Sequence, residues 1–484
     1  MSSGAGRVAL VVVFLAAAPA ARAWDPATTQ AGLTERAVLA SVFHEVMRNR
    51  LARTLGAMEP LTLHSQLLAP GERQLLWSRI SALDPAEGYR PSADGVASAM
   101  SWVTAGAVLA ETPPERARHH FFDPRTGLGL DDGSGLRGKA HAMRLALGDG
   151  ASLRGLATGV AFDMTGVAAP KWVTRPDNDQ SLAVFHQRLH QAITAADANQ
   201  REASMALAWM AMGGIVAALE DMGSPAHTRN DFRGAFLDKQ GPSGWDRGSD
   251  FERFVAARYG RVGVPAAGEV IERADLQSFF SAPDGEGLAQ RTQRRFFSEG
   301  TVPQTVSVDA STTPRDVLRA ARASLPYPLP TVKGLELRKA TRRRYMMEDG
   351  RRTLAYQRFP DRVVFALDEA VFADSAAVLL PEVAGYAAGL INHLLRGALS
   401  FSFSDGRVAV SLEGVRGSLS GTLEILAEDR EGRRRVLPVE ASGPFAGGEL
   451  AVVDVPAGTR RVAAIVRGRD GAGPVVVVGE AVVP

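Results

Sequence analysis

Asp221 and His227 are the two residues of this 484-residue chain whose types and spacing point most directly to chemistry. From Ala203 to Leu219 the sequence is apolar almost all round, the pattern of a helix buried on every side. Its last turn carries Glu220 and Asp221, and Gly223-Ser224-Pro225 stops it. Acids at a helix C-terminus meet the negative end of the dipole at a cost of about 0.3–1 kcal/mol each. A buried carboxylate also needs a partner. Six residues on, His227 lies in the following loop, and such a carboxylate and imidazole can converge on a zinc ion at about 2.0–2.2 Å. The same residues also allow Asp221 to pair with Arg229, leaving His227 a plain loop histidine. A second cluster runs from Glu111 to His119 and His120, then Phe121, Phe122, Asp123 and Pro124. This sets an imidazole against an apolar wall, as a ligand or as a satisfied core histidine. His186 and His190, four apart on one helix face, are a weaker metal pair.

The elements that must position these residues are mostly helices. Helical spacing is found over 33–55, 93–110, 180–195, 203–222 and 367–395, with Pro, Gly and Asp clusters between. After Gly397 the texture changes to short β-type runs at 399–403, 407–412, 421–426, 449–455, 461–466 and 474–478, separated by Gly and Asp turns. The expected fold is a mainly α N-terminal domain, 24–398, followed by a small all-β sandwich, 399–484. The Thr-, Ser- and Pro-rich stretch 299–330 reads as surface chain. The basic run 338–344, with Arg351 and Arg352, reads as a solvated helix face or a contact for an anionic surface.

Residues 1–23 read as a secretory signal: Arg7, an apolar stretch from Val8 to Ala20, and the small-x-small site Ala21-Arg22-Ala23. The apolar stretch is shorter than the roughly 20 residues a membrane anchor needs. Cleavage would place Trp24 first, with a free amine of pKa about 8 beside a carbonyl, which together can chelate. The expected location is secreted, periplasmic or cell-envelope. The chain has no cysteine, so disulfides and a lipid-modified cysteine are excluded. Without Arg7 and Arg22 the mature chain is formally neutral, so its charge favours no nucleic-acid partner.

The order of Trp at the mature start, an acid before a His-Phe-aromatic-Asp-Pro turn, Asp-x5-His and then Ser-x-x-Glu resembles the zinc-dependent phospholipase C family and the related single-strand-specific zinc nucleases. The segment 380–397 is similar to the closing helix of bacterial relatives that carry a C-terminal β-domain. The resemblance implies a metal-dependent phosphoric ester hydrolase of phospholipase C type, with Glu111 and Asp221 as catalytic residues. It implies metal ligands at Trp24, Glu111, His120, Asp221, His227 and Glu252, a phospholipid or other phosphate-ester substrate, and contact with a membrane surface. Glu252 is also the end of a Ser249-Asp-Phe-Glu252 capping box. Three family histidines are missing: Gln30, Ala217 and Gly248 stand in their places. One or two zinc ions are therefore expected rather than three. The alternatives are a non-catalytic secreted binding protein on the same scaffold, or a nuclease-like enzyme. At 7% aromatic the chain shows no base-stacking stripe, so nucleic acid is the weaker substrate, and no protein partner is implied.

Overall fold

The computed structural model describes residues 24–81, 95–112, 114–130, 166–231, 249–302, 305–307, 336–339, 344–439 and 441–484. The expected signal segment, Gly248 and most of the 299–330 stretch lie outside them. Among the described residues, eight helices of eight or more residues precede the β-region: α1 (Ala31–Ala40), α2 (Pro70–Ser81), α3 (Ala99–Leu109), α4 (Leu182–Thr194), α5 (Ala198–Glu220), α6 (Asp250–Tyr259), α7 (Leu288–Arg295) and α8 (Glu369–Leu394).

α5 is the axis on which α3, α4 and α8 pack. Asp197 starts it by accepting a hydrogen bond from the Gln200 amide at 3.0 Å. α3 and α5 cross closely. A Cβ on Gly106 would lie 1.9 Å from the Met210 carbonyl oxygen, and one on Gly213 2.0 Å from that of Val103, so both crossing points require glycine. Ala107, Ala110 and Ala217 continue the contact as a small apolar cluster. α5 and α8 have the length and apolarity of membrane-crossing helices, but 89% of the most apolar window of α5 and 56% of that of α8 are buried within the protein.

The stretch before α8 departs from the helical expectation. β1 (Pro60–Leu63) and β2 (Gly95–Ser98) form one antiparallel pair. A further antiparallel sheet of five strands, β3 (Thr305–Ser307), β4 (Glu336–Lys339), β5 (Arg344–Glu348), β6 (Arg351–Arg358) and β7 (Arg362–Ala366), takes the order β3-β7-β6-β5-β4. The sequence hid it because β6 is buried on both faces and shows no alternation. α8 packs on β6. The basic stretch is thus part sheet, and two of its arginines have internal partners. Arg351 is buried, 3.2 Å from Glu348 and over the Phe296 ring, and Arg352 pairs with Asp374 at 2.7 Å.

The C-terminal region is a sandwich of two antiparallel sheets. β8 (Ala398–Ser404), β9 (Arg407–Glu413) and β12 (Gly448–Asp454) form one in the order β12-β9-β8, while β10 (Ser420–Glu428), β11 (Arg434–Leu437), β13 (Arg461–Asp470) and β14 (Gly473–Val482) form the other in the order β11-β10-β13-β14. The four-stranded sheet is covered on both faces. Ile425, Val462, Ala464, Val466, Val475 and Val477 fill the sandwich core, while the alternate residues Leu426, Ala463, Ile465, Val476 and Val478 join the helical core. The expected class, a helical region followed by a β-sandwich, is the observed one. β11 escaped the reading because Arg434-Arg-Val-Leu437 is short and half charged.

Candidate metal centre

Glu111, His120 and Asp221 come together from three parts of the helical region. Asp221 opens a tight turn at the end of α5, Glu111 follows α3 by two residues, and His120 ends the turn that begins at Pro114–His119. Each offers a ligand atom, and these atoms lie within 4.8 Å of one another, all buried. His120 Nδ1 hydrogen-bonds Asp221 Oδ2 and stands 3.7 Å from Glu111 Oε1. The other Asp221 oxygen, Oδ1, is buried without a hydrogen-bond partner. Burial holds the Asp221 carboxyl well above the usual carboxylate range. Burial likewise pulls the His120 imidazole down to about 4, against the raising effect of Glu111 and with Arg116 and Arg79 lowering it further. Burial thus disfavours the charged form of both groups. One nitrogen, two carboxylate oxygens and an orphaned third oxygen form a donor set that fits a single divalent cation.

The other residues expected here are close by but differently engaged. His227 donates through Nδ1–H to the His120 carbonyl at 2.7 Å, and its ring stacks on Phe121 at 3.9 Å. Its Nε2 is buried without a hydrogen-bond partner, and burial lowers its pKa to about 3. Arg229 directs its guanidinium to the carbonyls of Phe296, at 2.8 Å, and Gln293. Glu252 has both oxygens in use: Oε1 accepts from the Ser224 hydroxyl, and Oε2 from the Ser249 amide at 2.6 Å in a complete capping box. Trp24 is buried, with its indole N–H donating to the Glu220 carbonyl at 2.9 Å, one residue from Asp221.

Gln30 and Ala217 are both engaged within the fold. Gln30 donates through Nε2 to Glu220 Oε2, which also accepts from Thr34 Oγ1 at 2.9 Å. Ala217 sits in the alanine contact between α3 and α5. Sequence reasoning gave Glu220 no role, although its place beside Asp221 in an otherwise apolar helix was the available signal. Burial raises its pKa well above the ordinary value, and its Oε1 has no hydrogen-bond partner.

His119, His186 and His190 are not members of the cluster. His119 stacks on Trp172 at 4.1 Å and accepts at Nδ1 from the Val167 amide at 2.9 Å. His186 and His190 do not act as a pair: His190 Nε2 meets Glu424 of the sandwich at 2.8 Å, while His186 packs beside Phe185. Asp250, in the first turn of α6, pairs with Arg253.

Two solved structures overlay on this fold weakly. Alpha toxin from Clostridium absonum is 9% identical, with a TM-score of 0.28 over 95% of this chain and 99% of that one. Alpha-toxin of Clostridium perfringens from avian strain SWCP is 9% identical, with a TM-score of 0.28 over 96% and 99%. No family model and no curated protein matches the chain. Overlaps of this extent transfer neither residue roles nor activity.

Proposed function

We propose that this chain is an exported metal-dependent phosphoesterase with phospholipase C-like chemistry, using one divalent cation, zinc by preference, at Glu111, His120 and Asp221. The observation that carries the proposal is the convergence of three buried ligand atoms within 4.8 Å, with an imidazole as the only basic member. A bound zinc would lower the pKa of a water toward about 7 and polarise a phosphate oxygen. Asp221 and His120 would give up the proton they share when the cation enters. Glu111 would orient the attacking water, and Phe121 and Phe122, both buried, would keep bulk solvent from the site. The Trp24 amine, freed by cleavage after Ala23, would add a ligand beside Asp221. His227 Nε2 is the donor left for a weaker second ion, while Glu252 is retained as the brace of α6.

The proposal takes 24–398 as the catalytic domain and 399–484 as its accessory sandwich. The substrate is a phospholipid or another phosphate ester met at a membrane surface. Metal analysis of the purified mature chain tests it: one tightly held ion is expected, with slow hydrolysis of a phosphocholine ester that Glu111→Gln and Asp221→Asn abolish. Three tight zincs would overturn the single-ion assignment. No metal, and no hydrolysis of that ester or of single-stranded RNA in added zinc, would favour the non-catalytic alternative, in which the His120–Asp221 hydrogen bond takes the place of the ion.

A further inference from the structure

The turn that carries Glu111 is gripped from behind by two arginines. α3 ends at Leu109, so its last carbonyls have no helical partner. Arg79, on α2, donates through Nη2 to the Leu109 carbonyl at 2.6 Å and through Nε to that of Thr112 at 2.8 Å. Arg116 donates through Nε to the Ala110 carbonyl at 3.0 Å. The carbonyls on both sides of Glu111 are thus fixed. Asp179 joins the two guanidiniums, 2.6 Å from Arg79 and 2.9 Å from Arg116. Gln180 extends the assembly: it accepts from Arg79 at 2.6 Å and donates to the carbonyls of Gly106 on α3, at 2.9 Å, and Met210 on α5, at 3.2 Å. Both helices that lead into the metal centre are therefore tied to one cradle.

Ending a helix does not require this. A glycine or water usually satisfies the last carbonyls, and burying a guanidinium is costly. Arg79 is only 4% exposed. An arginine fork fixes two acceptors at once in a rigid geometry that an ammonium cannot reproduce.

We infer that Arg79, Arg116 and Asp179 are positioning residues that hold the 109–112 turn so that the Glu111 carboxylate meets His120 and Asp221. This rests on the proposed metal-binding role of those three residues. The test uses the full mature chain, with Arg116→Met, Arg116→Lys and Asp179→Asn, and with Arg188→Met as control, whose partner Glu72 lies on the surface outside the cradle. Co²⁺ affinity is read from its visible spectrum well below each variant's melting temperature, and hydrogen exchange at amides 110–112 is read in metal-free protein. Arg116→Met and Asp179→Asn should bind Co²⁺ about 10–100-fold more weakly. They should also exchange faster at 110–112, with Arg116→Lys intermediate and the control unchanged. Exchange and Co²⁺ affinity at the wild-type level in both Arg116→Met and Asp179→Asn would overturn the inference. If the wild type itself binds no Co²⁺, the metal reading fails, and exchange at 110–112 still decides whether the cradle holds the turn.

Discussion

Two groups of buried carboxylates in this protein have opposite surroundings. At the junction of the helical region and the sandwich, Arg434 lies 2.8 Å from Glu428 and 2.7 Å from Glu480, and Arg201 is 3.0 Å from Glu428. Burial pulls the Arg434 pKa down, but Glu480 and Glu428 more than offset it and leave it above its ordinary value. Arg434 also donates to the Ile193 carbonyl at the end of α4. Every acid in that junction meets a guanidinium. At the metal centre, Glu111 and Asp221 meet an imidazole that burial itself discharges. Buried acids as such do not mark a metal site. The distinguishing feature is the direct partner, an imidazole beside Asp221 where the junction acids have guanidiniums, so that a proton or a metal ion can neutralise the charge.

Removing the cation at the junction is the sharpest way to break this comparison. Arg434→Met leaves Glu428 and Glu480 buried without their main partner and should destabilise the chain by about 3–5 kcal/mol in urea denaturation. A loss under about 1 kcal/mol would mean that water already shares these charges. The matching change at the metal centre should do little to the metal-free fold. Burial disfavours the charged form of the Asp221 carboxyl, so replacing it with the neutral amide in Asp221→Asn should move metal-free stability at pH 7 by no more than about 1 kcal/mol. A large destabilisation there would show that Asp221 is charged and paired without metal.

Glu299 supplies an intermediate case. Burial first, then Asp231, raises its pKa to about 8, while the Phe251 amide at 2.9 Å limits the rise. A raised carboxyl pKa favours the fold fully below about 4.5, and that contribution is lost as pH climbs through about 8. Glu299→Gln should therefore flatten the fall in stability between pH 5 and 9, by about 1 kcal/mol once solvent screening is counted. Parallel stability curves for the two proteins would remove Glu299 from the explanation. The smallest effect belongs to the partly buried His190–Glu424 pair across the junction, where His190→Ala should cost under about 1 kcal/mol in the same measurement.

The sequence made α5, α8 and most strands of the sandwich legible because each is long or regular in its apolar pattern. It did not reveal the five-stranded sheet, whose central strand β6 is covered on both faces and interrupted by arginines that pair internally. At the candidate site it picked out Glu111, His120 and Asp221 by type and order. The cradle of Arg79, Arg116 and Asp179 stayed hidden, since its members lie 100 residues apart at the extreme and hold the 109–112 turn through backbone carbonyls, which leave no trace in residue type.

By itself, then, the sequence determined that α5 is a buried helix ending in two acids, that imidazoles and carboxylates are available to meet them, and that a β-region follows. Burial of α5 follows from composition, because a helix apolar on all sides has no face for water. Only the tertiary structure decided which groups meet. His227 faces the His120 backbone, Glu252 closes a capping box, Gln30 serves Glu220, and three residues from separate elements share one buried space. The last of these depends on how closely α3, which leads to Glu111, crosses α5, which leads to Asp221, at Gly106 and Gly213, a distance set by packing between residues far apart in the chain.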